Sequence, residues 1–217
     1  MSFKTFVINM DSATDRWEYF KDKGVRRWSA TNYDEIKLSS PDISRMISYP
    51  TLSMKEHLCK IACLKSHVGL WRYIATNKMN NILVLEDDAQ LVNPVPDINN
   101  FSKDGITYLG GYTANMVMTK GPKKIQFENG IHKVDLKEYR VLMTVAYFIP
   151  TWEVAQRLLE NIENAERLRA IDCMFKKFKG VSFYLSYPGS FKERPVDSQI
   201  RKKKKKFSNE FYELVKG

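Results

Sequence analysis

The sequence predicts an α/β layered fold built on a mixed central sheet. Three observations carry that expectation. The chain opens on a strand–turn–helix, a long capped helix then runs into a short buried strand, and short β runs between Gly and Pro turn signals fill much of the second half.

Lys4 to Asn9 is a β-rich apolar run, and the polar stretch Asp11 to Asp15 reads as a turn opening a helix. Val25 to Ser29 is a second strand. Ser39 to Ser53 is rich in Ser and Pro with few periodic apolar positions, so it reads as a long surface loop. Ser53-Met-Lys-Glu56 has the capping-box pattern, in which the hydroxyl and the carboxylate each satisfy a backbone N–H. The helix it opens extends to about Thr76, with Leu58, Ile61, Ala62, Lys65, Val68, Arg72 and Ala75 at helical spacing. Two long basic side chains in that stripe point part of it toward a cleft.

Asn81 to Leu85 is a buried-strand candidate that ends directly in Glu86-Asp87-Asp88. Ile106 to Leu109 is another short strand, before Gly110-Gly111. Ala114 to Val134 carries Gly-Pro and Asn-Gly signals and reads as hairpin-like. Val141 to Ile149 is a strand stopped by Pro150, Trp152 to Asn161 and Ala165 to Phe178 are helical, and Val181 to Tyr187 is a strand ended by Pro188.

With 217 residues, 43% of them hydrophobic, the chain can bury one substantial core. No stretch approaches the roughly 20 consecutive apolar residues of a membrane-spanning helix. The N-terminus lacks a signal-peptide pattern, so the expected location is cytoplasmic unless a leader precedes it. Cys59, Cys63 and Cys173 are too few, and of the wrong parity, for a disulfide framework. Net charge is +10, of which Arg201 to Lys206 supplies six, leaving +4 elsewhere. The expected division is therefore a domain over residues 1–200 and a basic tail over 201–217. Phe207, Phe211, Tyr212 and Leu214 give that tail the spacing of a short amphipathic helix.

Three consecutive carboxylates at the C-terminal end of a buried strand repel one another unless they are solvated or neutralised. Ligands of open α/β sheets sit beyond those strand ends, and a hard divalent cation there takes oxygen ligands and can hold a diphosphate. A solvated acidic turn explains the three residues alone equally well.

Their surroundings resemble glycosyltransferase family 25, the lipooligosaccharide galactosyltransferase and collagen glycosyltransferase type. Phe6-Val7-Ile8-Asn9-Met10-Asp11 with Asp15-Arg16-Trp17 is similar to that family's first strand and Asn-Leu-Asp…Asp-Arg turn. Trp28-Ser29-Ala30 is similar to the end of its second strand, Cys63-Leu64-Lys65-Ser66-His67 to its Gly-Cys-x-x-Ser-His helix, and Leu83 to Ala89 to its acidic motif. Tyr108-Leu109-Gly110, Thr144-Val145-Ala146-Tyr147, Ile171-Asp172 and Ser198-x-Ile200 follow in the family's order. Ala62 and Met143 stand where the family has Gly.

The resemblance implies a single-domain GT-A-type, Rossmann-like fold and an inverting, metal-assisted transfer. A hexose from UDP-glucose or UDP-galactose would pass to a hydroxyl of a glycan, glycolipid or glycoprotein. It places Asn9, Asp11 and Arg16 at the donor end of the first strand, with Arg16 for diphosphate charge; helix N-capping is the competing reading of Asp11 and Asp15. Ala30 and Thr31 would border base and ribose, and Lys65, Ser66, His67 and Asp87 would complete the donor site. Asp88, with Glu86, would bind Mn²⁺ or Mg²⁺. Asp172 is the candidate general base, against a reading as an exposed or acceptor-positioning acid.

Other functions compete. Cys59, Cys63 and His67 share a helix face, but one straight helix cannot supply four tetrahedral zinc ligands, so the cysteines read as core. The lysine run reads as a solvated tail, an anionic-membrane contact or a nuclear or nucleic-acid signal. A catalytically silent nucleotide-sugar or carbohydrate binder is the alternative to the enzyme. Nucleic-acid binding finds support only in the tail, since no aromatic–basic stacking motif accompanies it.

Overall fold

The computed structural model describes residues 2–37, 41–45, 53–110, 117–119, 124–125, 127–141 and 144–196. The lysine run, the tail helix expected after it and the Ser198-x-Ile200 motif lie outside these residues.

The expected opening is present as strand β1 (Lys4–Asn9), helix α1 (Thr14–Glu18) and strand β2 (Arg26–Ser29). A short helix α2 (Pro41–Arg45) stands in the stretch expected to be loop. It is tied down by Arg45, whose guanidinium donates to the Ile162 carbonyl at 2.7 Å. Helix α3 (Met54–Thr76) starts with the expected capping box: the Ser53 N–H reaches Glu56 Oε2 at 2.8 Å, and the Glu56 N–H reaches Ser53 Oγ at 3.3 Å. Then come β3 (Ile82–Glu86), β4 (Ala89–Leu91) and β5 (Gly105–Gly110).

The segment expected as a hairpin divides between two sheets. Strands β6 (Val117–Thr119) and β7 (Lys124–Ile125) pair antiparallel, whereas β8 (Gly130–Lys133) joins the main sheet beside a later strand. Strand β9 (Tyr139–Arg140) completes the small sheet, and β10 (Ala146–Ile149) occupies only the end of the run expected from Val141. Helix α4 (Trp152–Glu163) is as expected. Ala165 to Phe178 is not one helix: only α5 (Ile171–Met174) and a 3₁₀ turn at Phe175–Lys177 are helical. The reason is tertiary, because the Leu168 N–H is drawn to the Arg45 carbonyl at 2.8 Å and not to its own helix. Strands β11 (Ser182–Tyr187) and β12 (Phe191–Glu193) close the described chain.

The fold is mixed α/β and Rossmann-like, with main-sheet order β2-β1-β3-β10-β5-β11-β8. Strands β2, β1 and β3 run parallel, β10 is antiparallel to both neighbours, and β5 and β11 are parallel again. Alternate residues of the central strands feed two cores. Phe6, Ile8, Val84, Tyr147 and Ile149 pack under α3 and α4, while Val7, Leu83, Leu85 and Phe148 pack against Phe20 and Phe101 on the other face. This double cover explains why β3 and β10 read as continuous apolar runs and not as alternating ones. Strand β12 pairs with both β4 and β5, and so brings the end of the described chain back beside the turn after β3.

Candidate functional site

Strand β3 ends at Glu86, and Asp87 and Asp88 form the turn into β4. The three acids, identical in charge, receive three different environments.

Asp87 is buried and fully engaged. Its Oδ1 accepts from Arg16 Nη1 at 2.5 Å, and its Oδ2 accepts from Asn9 Nδ2 at 2.9 Å. Asn9 is oriented in turn: Nδ2 also donates to the Ala13 carbonyl at 3.1 Å, and Oδ1 accepts from Arg27 Nε at 2.8 Å. The end of β1, helix α1 and the acid turn are thereby locked together. Directly after β12, the Arg194 N–H donates to the Asp88 carbonyl at 2.7 Å, and its guanidinium to the Asp87 carbonyl. That guanidinium stacks on Tyr19, 4.1 Å from the ring centroid.

Glu86 points to the α3 side. Its Oε1 accepts from the Thr144 hydroxyl and faces His67 Nε2 at 3.5 Å. Burial works to raise this carboxyl, but the His67 contact, the Thr144 hydroxyl and the Arg16 charge outweigh it and leave it below its ordinary value. Behind His67, the Tyr147 hydroxyl lies 2.8 Å from Nδ1 and 2.9 Å from Trp71 Nε1.

Asp88 is the acid left over. Its Oδ1 is buried with no hydrogen-bond partner among the described residues. Burial first, then Glu86, Glu193 and Asp87, push its carboxyl up to about 8. An orphaned carboxylate oxygen among other acids is a position that a cation would complete.

Asp172, on α5, reaches the same neighbourhood. Its Oδ1 accepts from the Cys173 N–H at 2.8 Å. The half-buried Cys63 thiol is raised mainly by burial and then by Glu86, Asp172 and Asp88 together, which puts the α5 acid and the acid turn around one thiol. The buried Tyr108 hydroxyl, without a hydrogen-bond partner among the described residues, also feels Asp172.

The remaining candidates fall into two places. Asp11 does not cap α1, whose N-cap is Ala13 without a side-chain bond; it accepts from Ser29 Oγ at 2.7 Å and pairs with Arg27 at 3.1 Å. Asp15 lies in the first turn of α1, favourable for an acid. Ala30 donates its N–H to the Asn9 carbonyl at 3.0 Å, next to the acid turn's anchor. Ser66 Oγ accepts from the Thr31 N–H at 2.9 Å and donates to the Ala62 carbonyl, so this side chain is spent on structure. Thr31, Lys65, Val68 and Arg72 line a cavity of about 220 Å³ between α3 and the end of α4, which is the cleft the basic stripe pointed to. A groove of about 400 Å³ between Lys133–Lys137 and Phe175–Phe183 opens at the start of β11, the opposite end of the sheet from the acids.

The family model for glycosyltransferase family 25 (LPS biosynthesis protein) matches residues 2–175. The chain belongs to glycosyltransferase family 25. No curated protein matches it. As a family 25 glycosyltransferase it uses a nucleotide-sugar donor and a glycan acceptor. The match spans β1, the capped helix, the acid turn and Asp172, whereas β12 and Arg194, which return to that turn, lie beyond it.

A divalent cation fits the donor set of this family 25 chain on chemistry. The acid turn offers oxygen atoms only, and Asp88 Oδ1 lacks a partner among the described residues. Those residues hold no cluster of three metal-ligating His, Cys, Asp or Glu side chains. A cation carried by one or two carboxylates and the substrate's phosphates needs no such cluster. Cys59, Cys63 and His67 do not converge, since His67 is turned to Glu86 and Tyr147. No helix among the described residues is long and apolar enough to cross a membrane.

Sequence reasoning gave no role to Thr144, Tyr147, Trp71, Arg27, Glu193 or Arg194. Thr144 and Tyr147 carried a signal, being the two polar residues within the otherwise apolar run Val141 to Ile149. Glu193 and Arg194 carried none, because only the return of β12 to β4 brings them to the acid turn.

Proposed function

We propose that this glycosyltransferase moves a hexose from a UDP-sugar to a hydroxyl of a lipopolysaccharide-type glycan or glycoconjugate, with inversion, in a GT-A-type site at the end of β3. The observation that carries this reading is the buried Asp88 oxygen without a partner among the described residues, held beside two acids that are each already engaged. Asp88, with Glu86 beside it, would hold Mn²⁺ or Mg²⁺. When bound, such an ion offsets negative charge on the departing diphosphate.

The chain's own residues supply the rest. Asn9, Arg16 and Asp87 brace the turn, so the Asp88 carboxylate is presented on a rigid support; Arg16 adds positive charge near the diphosphate. Asp11, Ala30 and Thr31 form the rim on the β1–β2 side, where base and ribose would lie, with Lys65 facing it from α3, Ser66 holding the Thr31 backbone and His67 supporting Glu86. Asp172 takes the acceptor hydroxyl's proton. The acceptor oxygen then attacks the anomeric carbon from the face opposite the diphosphate. The new C–O bond forms as the bond to the diphosphate breaks, and UDP leaves with both electrons of that bond.

The test is a screen of UDP-glucose, UDP-galactose and related donors with Mn²⁺ or Mg²⁺, scored by UDP release. Release from one donor that requires the metal and disappears in Asp88→Asn is the expected result. Absence of release from every donor sinks the proposal. A catalytically silent binder would instead bind UDP with metal and never turn over.

A further inference from the structure

The hydrogen-bond chain behind Glu86 has a direction that can be worked out atom by atom. Trp71 and His67 lie one turn apart on α3, Tyr147 faces them from β10, and all three are at most 1% exposed. The indole Nε1–H can only donate, and it donates to the Tyr147 oxygen over 2.9 Å. The phenol proton then needs an acceptor, and His67 Nδ1 lies 2.8 Å away. With Nδ1 accepting, the ring proton sits on Nε2, the atom that faces Glu86 Oε1 at 3.5 Å. The opposite tautomer would aim two donors at the Tyr147 oxygen, leave its proton without an acceptor in the interior, and turn a lone pair toward a carboxylate.

The Thr144 hydroxyl donates to the same Oε1. The Thr144 hydroxyl therefore bonds one oxygen of Glu86 while the His67 Nε2–H faces that same oxygen, and Oε2 is the oxygen left to the transfer site. We propose that Trp71, Tyr147 and His67, with Thr144, form a positioning relay that fixes the orientation in which Glu86 presents its second oxygen to the reacting groups. None of the four need touch the substrate. The assignment rests on the reading of Glu86 to Asp88 as the transfer site.

The test combines a spectroscopic and a kinetic arm. Nitrogen-15 NMR of histidine-labelled protein, with the His67 signals assigned by their loss in His67→Gln, should show the Nε2–H tautomer with Nδ1 as acceptor. Tyr147→Phe keeps the ring but removes the hydroxyl; it should mix the tautomers and lower kcat roughly tenfold, with donor KM moving less than about twofold, as expected for a misdirected but intact group. Should Tyr147→Phe fold poorly, His67→Gln and His67→Asn replace it. A Gln amide reaches the Nε2 position and can donate to Glu86, whereas an Asn amide reaches only the Nδ1 position. At matched melting temperature, Gln should keep roughly tenfold more kcat than Asn, a difference that a purely structural histidine would not produce. An Nδ1–H tautomer in the wild type, unchanged kcat in a folded Tyr147→Phe, or equal rates for Gln and Asn each overturn the relay. If the wild type turns over no nucleotide-sugar, the functional reading fails and the tautomer spectrum alone decides the relay.

Discussion

Removing the Asp87 carboxylate should be the most damaging single change at the acid turn, and for stability before chemistry. In Asp87→Ala, the Arg16 guanidinium loses its 2.5 Å partner in a site where the two side chains are only 9% and 11% exposed. Asn9 Nδ2 loses its 2.9 Å acceptor in the same step. Breaking a buried pair from one side strips the remaining charge of its closest partner and costs about 3–5 kcal/mol. For a chain of this size that is a fall in Tm of roughly 6–20 °C, a large share of a total stability of about 5–15 kcal/mol. The assay is thermal unfolding followed by circular dichroism, with urea unfolding as a check. The double variant Arg16→Met, Asp87→Leu removes both charges and should recover most of the loss, because it leaves no buried charge stripped of its closest partner. A fall of less than about 3 °C for Asp87→Ala, or a double variant no more stable than the single one, would refute the view of Asp87 as a structural brace. Arg16 would then be available chiefly for the diphosphate.

Other outcomes follow from the same site. Between the unfolded Asp88 carboxyl near 3.8 and its folded value of about 8, the folded chain holds a proton that the unfolded chain has released. Metal-free protein should therefore lose stability as pH rises across that window. Asp88→Asn should flatten the loss; melting curves from pH 4 to 9 read both, and an unchanged slope contradicts the assignment. Asp172→Asn should lower kcat by about 10²–10⁴ while leaving donor binding intact, measured by steady-state rates beside calorimetric titration. A loss confined to KM would make Asp172 an acceptor-positioning residue. Gly105→Ala should not fold, since an added Cβ would stand 1.8 Å from the Ser182 carbonyl oxygen of the paired strand. A cooperative melt near the wild-type temperature would contradict that register.

The parts of this structure legible in the sequence are those in which local chemistry and tertiary demand agree. Strand β1, the Ser53–Glu56 box and the apolar run into Glu86 each carry their own signal, and each appears within a residue or two of its expected bounds. Where a distant partner decides, the sequence is silent. Ala165 to Ala170 looks helical, yet the Arg45 carbonyl from far upstream takes the Leu168 N–H. Likewise β8 looks like half of a local hairpin but is captured by β11. The same holds in the site. The acid run was legible, but the distinct environments of its members were not: Asp87 is spent on Arg16 and Asn9, Glu86 on Thr144 and His67, and only Asp88 lacks a partner among the described residues. Those differences depend on Thr144, 58 positions from Glu86, and on Glu193, 105 positions from Asp88, which reach the acid turn only where β10 and β12 return to it.

The account turns on Asp88 as the point where a metal ion and the donor's diphosphate meet. Calorimetric titration of UDP into the protein, with and without Mn²⁺, tests that directly. UDP should bind measurably only when Mn²⁺ is present, and the dependence should vanish in Asp88→Asn while Asp104→Asn, at the far end of β5, retains it. UDP binding that is equal with and without metal, or unaltered by Asp88→Asn, would contradict the account.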